Sequence, residues 1–223
     1  FQVSTKTIRI SSAINHYSLP TDSRSGVVYV GNLGINRIVP LAELGRALKA
    51  AAITGFETIN VYSGERNSAI LQQINEENGL TYCGCISERE VERLLGTSKF
   101  IIFAEAFDNN SICRTKYSLS TKIAESLRSG ACILAYGPPE IASIDYLRRY
   151  HAAYILEKAE ELPNAIQYLC KEADEYSHYT LCAQSLAERF HSAAVNEECL
   201  RDILTEAISN YKTTEDKKCK TTK

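Results

Sequence analysis

Val27-Val28-Tyr29-Val30-Gly31-Asn32-Leu33-Gly34-Ile35-Asn36-Arg37 decides the fold. Four apolar and mostly β-branched residues read as a short strand, and Gly31 stops it. A turn with two glycines follows. Residues 40–53 then carry Leu41, Leu44, Ala47, Leu48 and Ala51 at helical spacing, and Gly55 ends that helix. The unit is strand, tight turn, helix.

The same alternation continues downstream. Residues 58–62 read as a strand, 67–78 as a helix stopped by Gly79, and 80–83 as a weak strand. Ser87 with Glu90 forms a capping box that opens a helix running to residue 95. Residues 100–103 form a strongly apolar strand, and 105–118 a polar loop. Ser120 or Thr121 opens a helix that ends before Gly130. A strand at 131–136 closes on Gly137-Pro138-Pro139. A helix at 140–149 and a strand at 153–156 follow, then helices at 160–173, 176–194 and 197–211. Strands alternating with helices predict right-handed crossovers and a parallel sheet. The strands are near-continuous apolar runs, as burial on both faces requires. The expected fold is therefore α/β: a doubly wound, Rossmann-like parallel sheet with extra C-terminal helices. It occupies residues 27–211. Residues 1–26 are polar and irregular and read as a linker with one short strand at 7–10. The Lys/Thr-rich tail, 212–223, is expected to be disordered.

Composition narrows the function. The chain has 223 residues, 44% hydrophobic and 23% charged, with a formal net charge of -2. A general nucleic-acid binder would need an excess of Lys and Arg. No apolar run is long enough to span a bilayer, and no basic and apolar leader opens the chain. The eight cysteines fall at Cys83, Cys85, Cys113, Cys132, Cys170, Cys182, Cys199 and Cys219, without zinc-ligand spacing. Reduced thiols and a cytoplasmic home are expected. No metal site is expected.

Ligands of doubly wound sheets bind beyond the carboxyl ends of the strands. That rule selects the loops. In the first, Gly31 and Gly34 let the backbone approach a ligand, Asn32 stands between them, and Arg37 offers a fork of donors to a diphosphate. The spacing is G-x-x-G, which does not match a dinucleotide fingerprint. A tight turn with a solvated Arg is the plain alternative. In the second, Ser120 or Thr121 caps a helix whose start favours phosphate. Lys122 adds positive charge there, at a helix end where a cation is otherwise slightly unfavourable. Glu125, one turn further, is placed to accept hydrogen bonds from ribose hydroxyls. Capping plus a surface Lys–Glu pair is the plain alternative. Tyr136-Gly137-Pro138-Pro139-Glu140 and Tyr82-Cys83-Gly84-Cys85-Ile86 also end strands on this face, and backbone groups of the latter could meet a base edge. His16, His151, His178 and His191 show no ligand pairing and receive no catalytic role.

Val28 to Gly34, Tyr82-Cys83-Gly84 ahead of Ser87-Glu88-Arg89-Glu90, and Ser120-Thr121-Lys122-Ile123-Ala124-Glu125-Ser126-Leu127-Arg128-Ser129-Gly130 ahead of an apolar strand occur in this order. Together they resemble the C-terminal domain of the GT-B glycosyltransferases, nearest the GT4-like group, over residues 27–173. The helix motif is the specific part. The resemblance implies two Rossmann-like domains facing a cleft, with this one holding a nucleotide diphosphate sugar as substrate. It implies no cofactor and no metal. It matches Glu125 to the carboxylate that binds the donor ribose, and Arg37 to a cation near the diphosphate, with Lys122 in the same helix start. The acceptor, a saccharide or other hydroxyl, would be held by an N-terminal domain that these residues do not include. That domain would also be the route to any peripheral contact with the inner membrane. Two positions depart from the pattern. Tyr117 stands where many members carry the first Glu of an E-x7-E pair, and Asn32 where an Arg often follows the first glycine. Arg114 and Lys116 are the cations nearest that gap.

Sugar transfer is thus the expected function, with catalytic residues unassigned. A nucleotide-sugar 2-epimerase would use the same fold but needs carboxylates and a His near the sugar. A non-catalytic nucleotide-binding domain is the third reading.

Overall fold

The computed structural model describes residues 6–12, 20 and 23–220. Six strands form one sheet: β1 (Ser25–Val30), β2 (Ile59–Tyr62), β3 (Leu80–Gly84), β4 (Ser98–Ala104), β5 (Cys132–Tyr136) and β6 (Tyr154–Leu156). Their order is β3-β2-β1-β4-β5-β6, and every neighbouring pair is parallel. The strand order reverses between β1 and β4, which opens a crevice at their carboxyl ends. The expected α/β doubly wound architecture is what the chain adopts.

Alternation along the strands builds two cores. Val27 and Tyr29, with Phe100, Ile102, Cys132 and Leu134, face helix α1 (Ile38–Ala51) and helix α7 (Leu162–Lys171) in one cluster. Ile133 and Ala135 face the opposite layer. It comprises α5 (Ile123–Arg128), α6 (Ala142–Arg149) and α8 (Ala173–Phe190). Val28 and Ile101 pack with Leu95 of α3 (Glu88–Thr97). The capping box at Ser87 and Glu90 is present. Two layers of cover explain why β5, and β4 from Phe100 on, are apolar and buried, while the edge strand β3 leaves Thr81 and Tyr82 exposed.

Several elements differ from expectation. The helix expected at 67–78 is only α2 (Ser68–Leu71). Asn side chains divert the backbone beyond it. Asn75 Nδ2 donates to Gln72 O, Asn75 Oδ1 accepts from Asn78 N, and Asn78 Nδ2 donates to Gln73 O. Such local bonds compete with helical ones. The loop expected at 105–118 contains helix α4 (Asn109–Thr115), capped by the Asp108 carboxylate accepting from Ser111 N. The linker expected at 1–26 overlaps the sheet, since β1 starts at Ser25. Arg24 is buried and donates to Ser98 O at 3.3 Å and Ser129 O at 3.0 Å. Helix α9 (Ala193–Lys220) takes in residues 212–220 of the tail expected to be disordered. Lys and Glu are good helix formers, so local propensity extends it. Residues 221–223 lie outside the described residues.

No strand forms at 7–10 among the described residues. That segment lies instead along the last two helices. His191 is fully buried, with Nδ1 at 2.6 Å from Ile10 O and Nε2 at 3.0 Å from the Tyr146 hydroxyl. Ser12 N donates to His191 O, Asn196 Nδ2 to Arg9 O, and the Arg9 guanidinium sits over the Phe190 ring. Lys6 pairs with Asp202 and Glu206. No described helix is long and apolar enough to cross a membrane.

Candidate functional site

The turn after β1 is built by its own polar groups. The buried Tyr29 hydroxyl donates to Asn32 O at 2.8 Å. Asn32 Oδ1 accepts from Gly34 N, so this side chain folds back into the turn. Ile35 and Asn36 both take the left-handed conformation, with φ of 57° and 55°. For Ile35 that is a costly backbone state of the kind retained at functional loops. Asn36 is tied down by its amide donating to Asp108 Oδ2 at 3.0 Å.

Two cavities open at the carboxyl ends of the strands. One, of about 260 Å³, lies at the β1/β4 crevice and includes Arg37, Glu105, Ser120, Thr121, Lys122 and Glu125 in its wall. The other, of about 320 Å³, lies over β1, β2 and β3. Gly31, Tyr62, Ser63, Cys85, Ile86 and Lys122 are among its lining residues. Val30, Asn32 and Lys122 belong to both walls. Of the eight residues selected in the first two loops, all except Gly31 and Gly34 line the first cavity. Gly31 lines the second, and Gly34 shapes the turn between them.

Three assignments need correction in detail. Neither Ser120 nor Thr121 caps a helix. Helix α5 begins at Ile123, and the position before it is Lys122, with no side-chain cap. Ser120 N donates instead to Ser143 Oγ, whose hydroxyl donates to Ser118 O, so the segment is drawn toward α6. Lys122 does not point freely outward. Its Nζ donates to Val30 O at 3.3 Å and lies across Gly31. Arg37 is not the solvated residue of the plain alternative, nor is its whole fork open to a ligand. Its Nε and Nη2 donate to the two oxygens of Glu105 at 3.1 Å each, and Nη1 lies 3.4 Å from Gly34 O.

Glu105 was missed by the sequence reading. It directly follows the apolar strand β4 on the ligand face, the same signal that selected the other residues. Its side chain is only 3% exposed. Its main-chain N–H donates to Tyr136 O at 2.9 Å, and Gly137 leaves it room: a Cβ there would sit 2.9 Å from Glu105 Cβ. The loop at Tyr136–Glu140 thus supports the site without lining it. Cys85 and Ile86 do line the second cavity. His151, His178 and His191 are absent from both cavity walls; His16 lies outside the described residues.

Burial sets the charges. It pushes the Lys122 ammonium down to about 8, with Arg37 adding repulsion and Glu125 opposing the shift. Burial raises the Glu125 carboxyl, against the pull of Lys122. Burial also raises Glu105, opposed by its bonds to Arg37. Perturbed ionisable groups gathered in a crevice make it a candidate ligand site.

The contact at Gly31 gives a sharp test. A Cβ at that position would lie 2.3 Å from Lys122 Nζ, the end of a flexible side chain. Gly31→Ala should therefore fold normally while displacing the ammonium. For the nucleotide diphosphate expected from the sequence, the loss should be about tenfold in affinity, one charge-assisted hydrogen bond of roughly 1.5 kcal/mol. An unchanged dissociation constant in calorimetry would show that the seat of the ammonium over Gly31 does not matter for binding.

The architecture matches known enzymes. It overlays on S. aureus TarM in complex with UDP at 14% identity and a TM-score of 0.63, covering 92% of this chain and 40% of that one. The fold is that of a GT-B glycosyltransferase domain. A glycosyltransferase from Rickettsia africae matches at 15% identity and a TM-score of 0.63, over 84% of this chain and 49% of that one. Anabaena HepE in complex with UDP-glucose matches at 13% and 0.59, over 83% and 50%. The chain thus spans half or less of the length of these enzymes. No family profile and no curated protein sequence matches it.

Proposed function

We propose that this chain is the donor-binding domain of a glycosyltransferase that moves a sugar from a nucleotide diphosphate sugar to an acceptor hydroxyl. The observation that carries the reading is the meeting of Arg37, Lys122 and Glu125 on one cavity wall at the strand-order reversal of a GT-B sheet. In the reaction, the bond between the anomeric carbon and the β-phosphate oxygen breaks, and negative charge gathers on the leaving diphosphate. Lys122 and the remaining Nη1 edge of Arg37 would stabilise that charge. Glu125 would bind the ribose. The adjoining cavity at Cys85 and Ile86 would hold the base. The acceptor and any general base would come from a facing domain, which brings the reacting atoms together and excludes water.

A panel of ligands tests the reading. Nucleoside diphosphates and their sugar conjugates should raise the melting temperature of the chain, while monophosphates and NAD should not. Stabilisation by NAD alone would replace the reading with a dehydrogenase-like one. The chain by itself is expected to bind donor without transferring sugar. Efficient glycosylation by these 223 residues alone would require a complete active site within them.

The role of Glu125 is separable. Glu125→Gln keeps shape but loses charge, and should weaken a ribonucleotide more than its 2′,3′-dideoxy analogue, by about 1.5–3 kcal/mol for a bond to a charged acceptor. Equal losses with both ligands would make Glu125 a wall residue only.

A further inference from the structure

The cavity over β1, β2 and β3 carries a charge that phosphate chemistry does not use. Lys122 enters it on the β1 side, where its ammonium donates to Val30 O. Glu65 enters it from the loop after β2 and is the one carboxylate among its described lining residues. That loop is fixed to its neighbour. Ser63 N donates to Gly84 O at 2.9 Å, and the Tyr82 hydroxyl donates to Ser63 O at 3.0 Å. The carboxylate is fixed in turn. Glu65 Oε1 accepts from Arg66 N and Asn67 N at 2.9 Å each, and Glu65 N donates to Ser63 Oγ at 3.2 Å. Holding the loop thus occupies one oxygen. The other, Oε2, accepts no hydrogen bond and meets no cation among the described residues. Val30, Ile86 and Val91 add an apolar surface on which a planar ring can lie.

The sheet order β3-β2-β1-β4 sets the direction of a bound nucleotide. With its phosphates at Lys122, its base lies over β2 and β3, beside Glu65. A carboxylate oxygen only accepts, and the bases differ in what they offer it. Guanine presents two adjacent donors, N1–H and the 2-amino group. Uracil presents one N–H flanked by two carbonyl oxygens, which repel a carboxylate. Adenine and cytosine set their amino group beside a ring nitrogen that accepts. Resting on the donor-binding reading above, we propose that the donor is a guanosine diphosphate sugar and that Glu65 reads the N1–H and 2-amino edge of its base. The two lone pairs of Oε2 match those two donors.

The test is titration calorimetry of the chain with the diphosphates of guanosine, inosine, uridine and adenosine, on the wild type and Glu65→Gln. Inosine differs from guanosine only in lacking the 2-amino group. The wild type should bind guanosine diphosphate tightest and inosine diphosphate about tenfold more weakly, the order of one hydrogen bond to a charged group. Uridine and adenosine diphosphates should bind more weakly still. Glu65→Gln keeps an oxygen for Arg66 N and Asn67 N but loses the charge. It should weaken guanosine diphosphate by about 10- to 100-fold and leave the uridine and adenosine diphosphates nearly unchanged. Its melting temperature checks that the loop still holds, and the comparison of guanosine with inosine on the wild type needs no variant. Tighter binding of uridine diphosphate, equal affinities for guanosine and inosine diphosphates, or an equal loss for all four ligands in the folded variant would overturn the guanine assignment and leave the donor reading standing. Absence of binding by all four would overturn both.

Discussion

Lys122→Met should cost a nucleotide diphosphate roughly 10- to 100-fold in affinity, the loss of a charge-assisted bond worth about 1.5–3 kcal/mol, and should leave the bare nucleoside nearly unaffected. Lys122 is placed for this by both cavities, which share it as a wall. Its pKa gives the pH dependence. The group is charged below about 8 and neutral above it. An anion favours the charged form, so wild-type affinity should be full below pH 8 and fall as pH rises through that value. Bound diphosphate should pull the pKa back up, so binding near pH 8 should take up protons and its enthalpy should vary with the buffer. The free protein follows the opposite sign: burial opposes the charged form, so stability should rise between about 8 and the ordinary 10.5. Lys122→Met should abolish both trends. A variant that binds diphosphate and nucleoside with equal losses, or that keeps the pH dependence, would remove Lys122 from the phosphate site.

Gly79→Ala should be among the most damaging single substitutions in the domain. Here α1 crosses the turn that feeds β3, and the two backbones touch. A Cβ on Gly79 would lie 2.1 Å from Gly45 O, and one on Gly45 would lie 2.2 Å from Asn78 O. Neither obstacle is a side chain that can swing away. Gly79 also has φ of 61°. Overpacking of about 1–3 kcal/mol and left-handed strain of about 1–2 kcal/mol should combine to a loss of about 2–5 kcal/mol. Urea unfolding at constant m-value would measure it. Gly55→Ala is the control: its φ is 84° but nothing lies near its Cβ, so only the strain should appear. Similar small losses for both would show that α1 and the β3 turn have room to part.

The sheet was legible because its central strands are apolar runs closed by glycine or a polar turn, and each longer helix carries a 3.6-residue stripe. Leu41, Leu44 and Leu48 are all fully buried on the expected face. What failed were short elements. The side-chain bonds of Asn75 and Asn78 end α2 early, and Asp108 starts α4 inside a stretch that reads as polar. The candidate site was legible where one residue sufficed. Arg37, Lys122 and Glu125 do converge on one cavity. The pairing of Arg37 with Glu105 was not legible, because it joins residues 68 positions apart. Nor was the fold-back of Lys122 onto Val30 O, which depends on the missing side chain of Gly31.

The seam around His191 bears on how this domain would respond to force. Residues 6–12 and helices α8 and α9 lie side by side, so tension between the leading segment and α9 would not shear the sheet. It would load Lys6–Asp202, Asn196–Arg9, Ser12–His191 and His191–Ile10 one after another, peeling them like a zip. None of the residues in that seam lines either cavity. A single molecule held in an optical trap should therefore yield first at low load by a short extension, with the six strands and the β1/β4 crevice still intact.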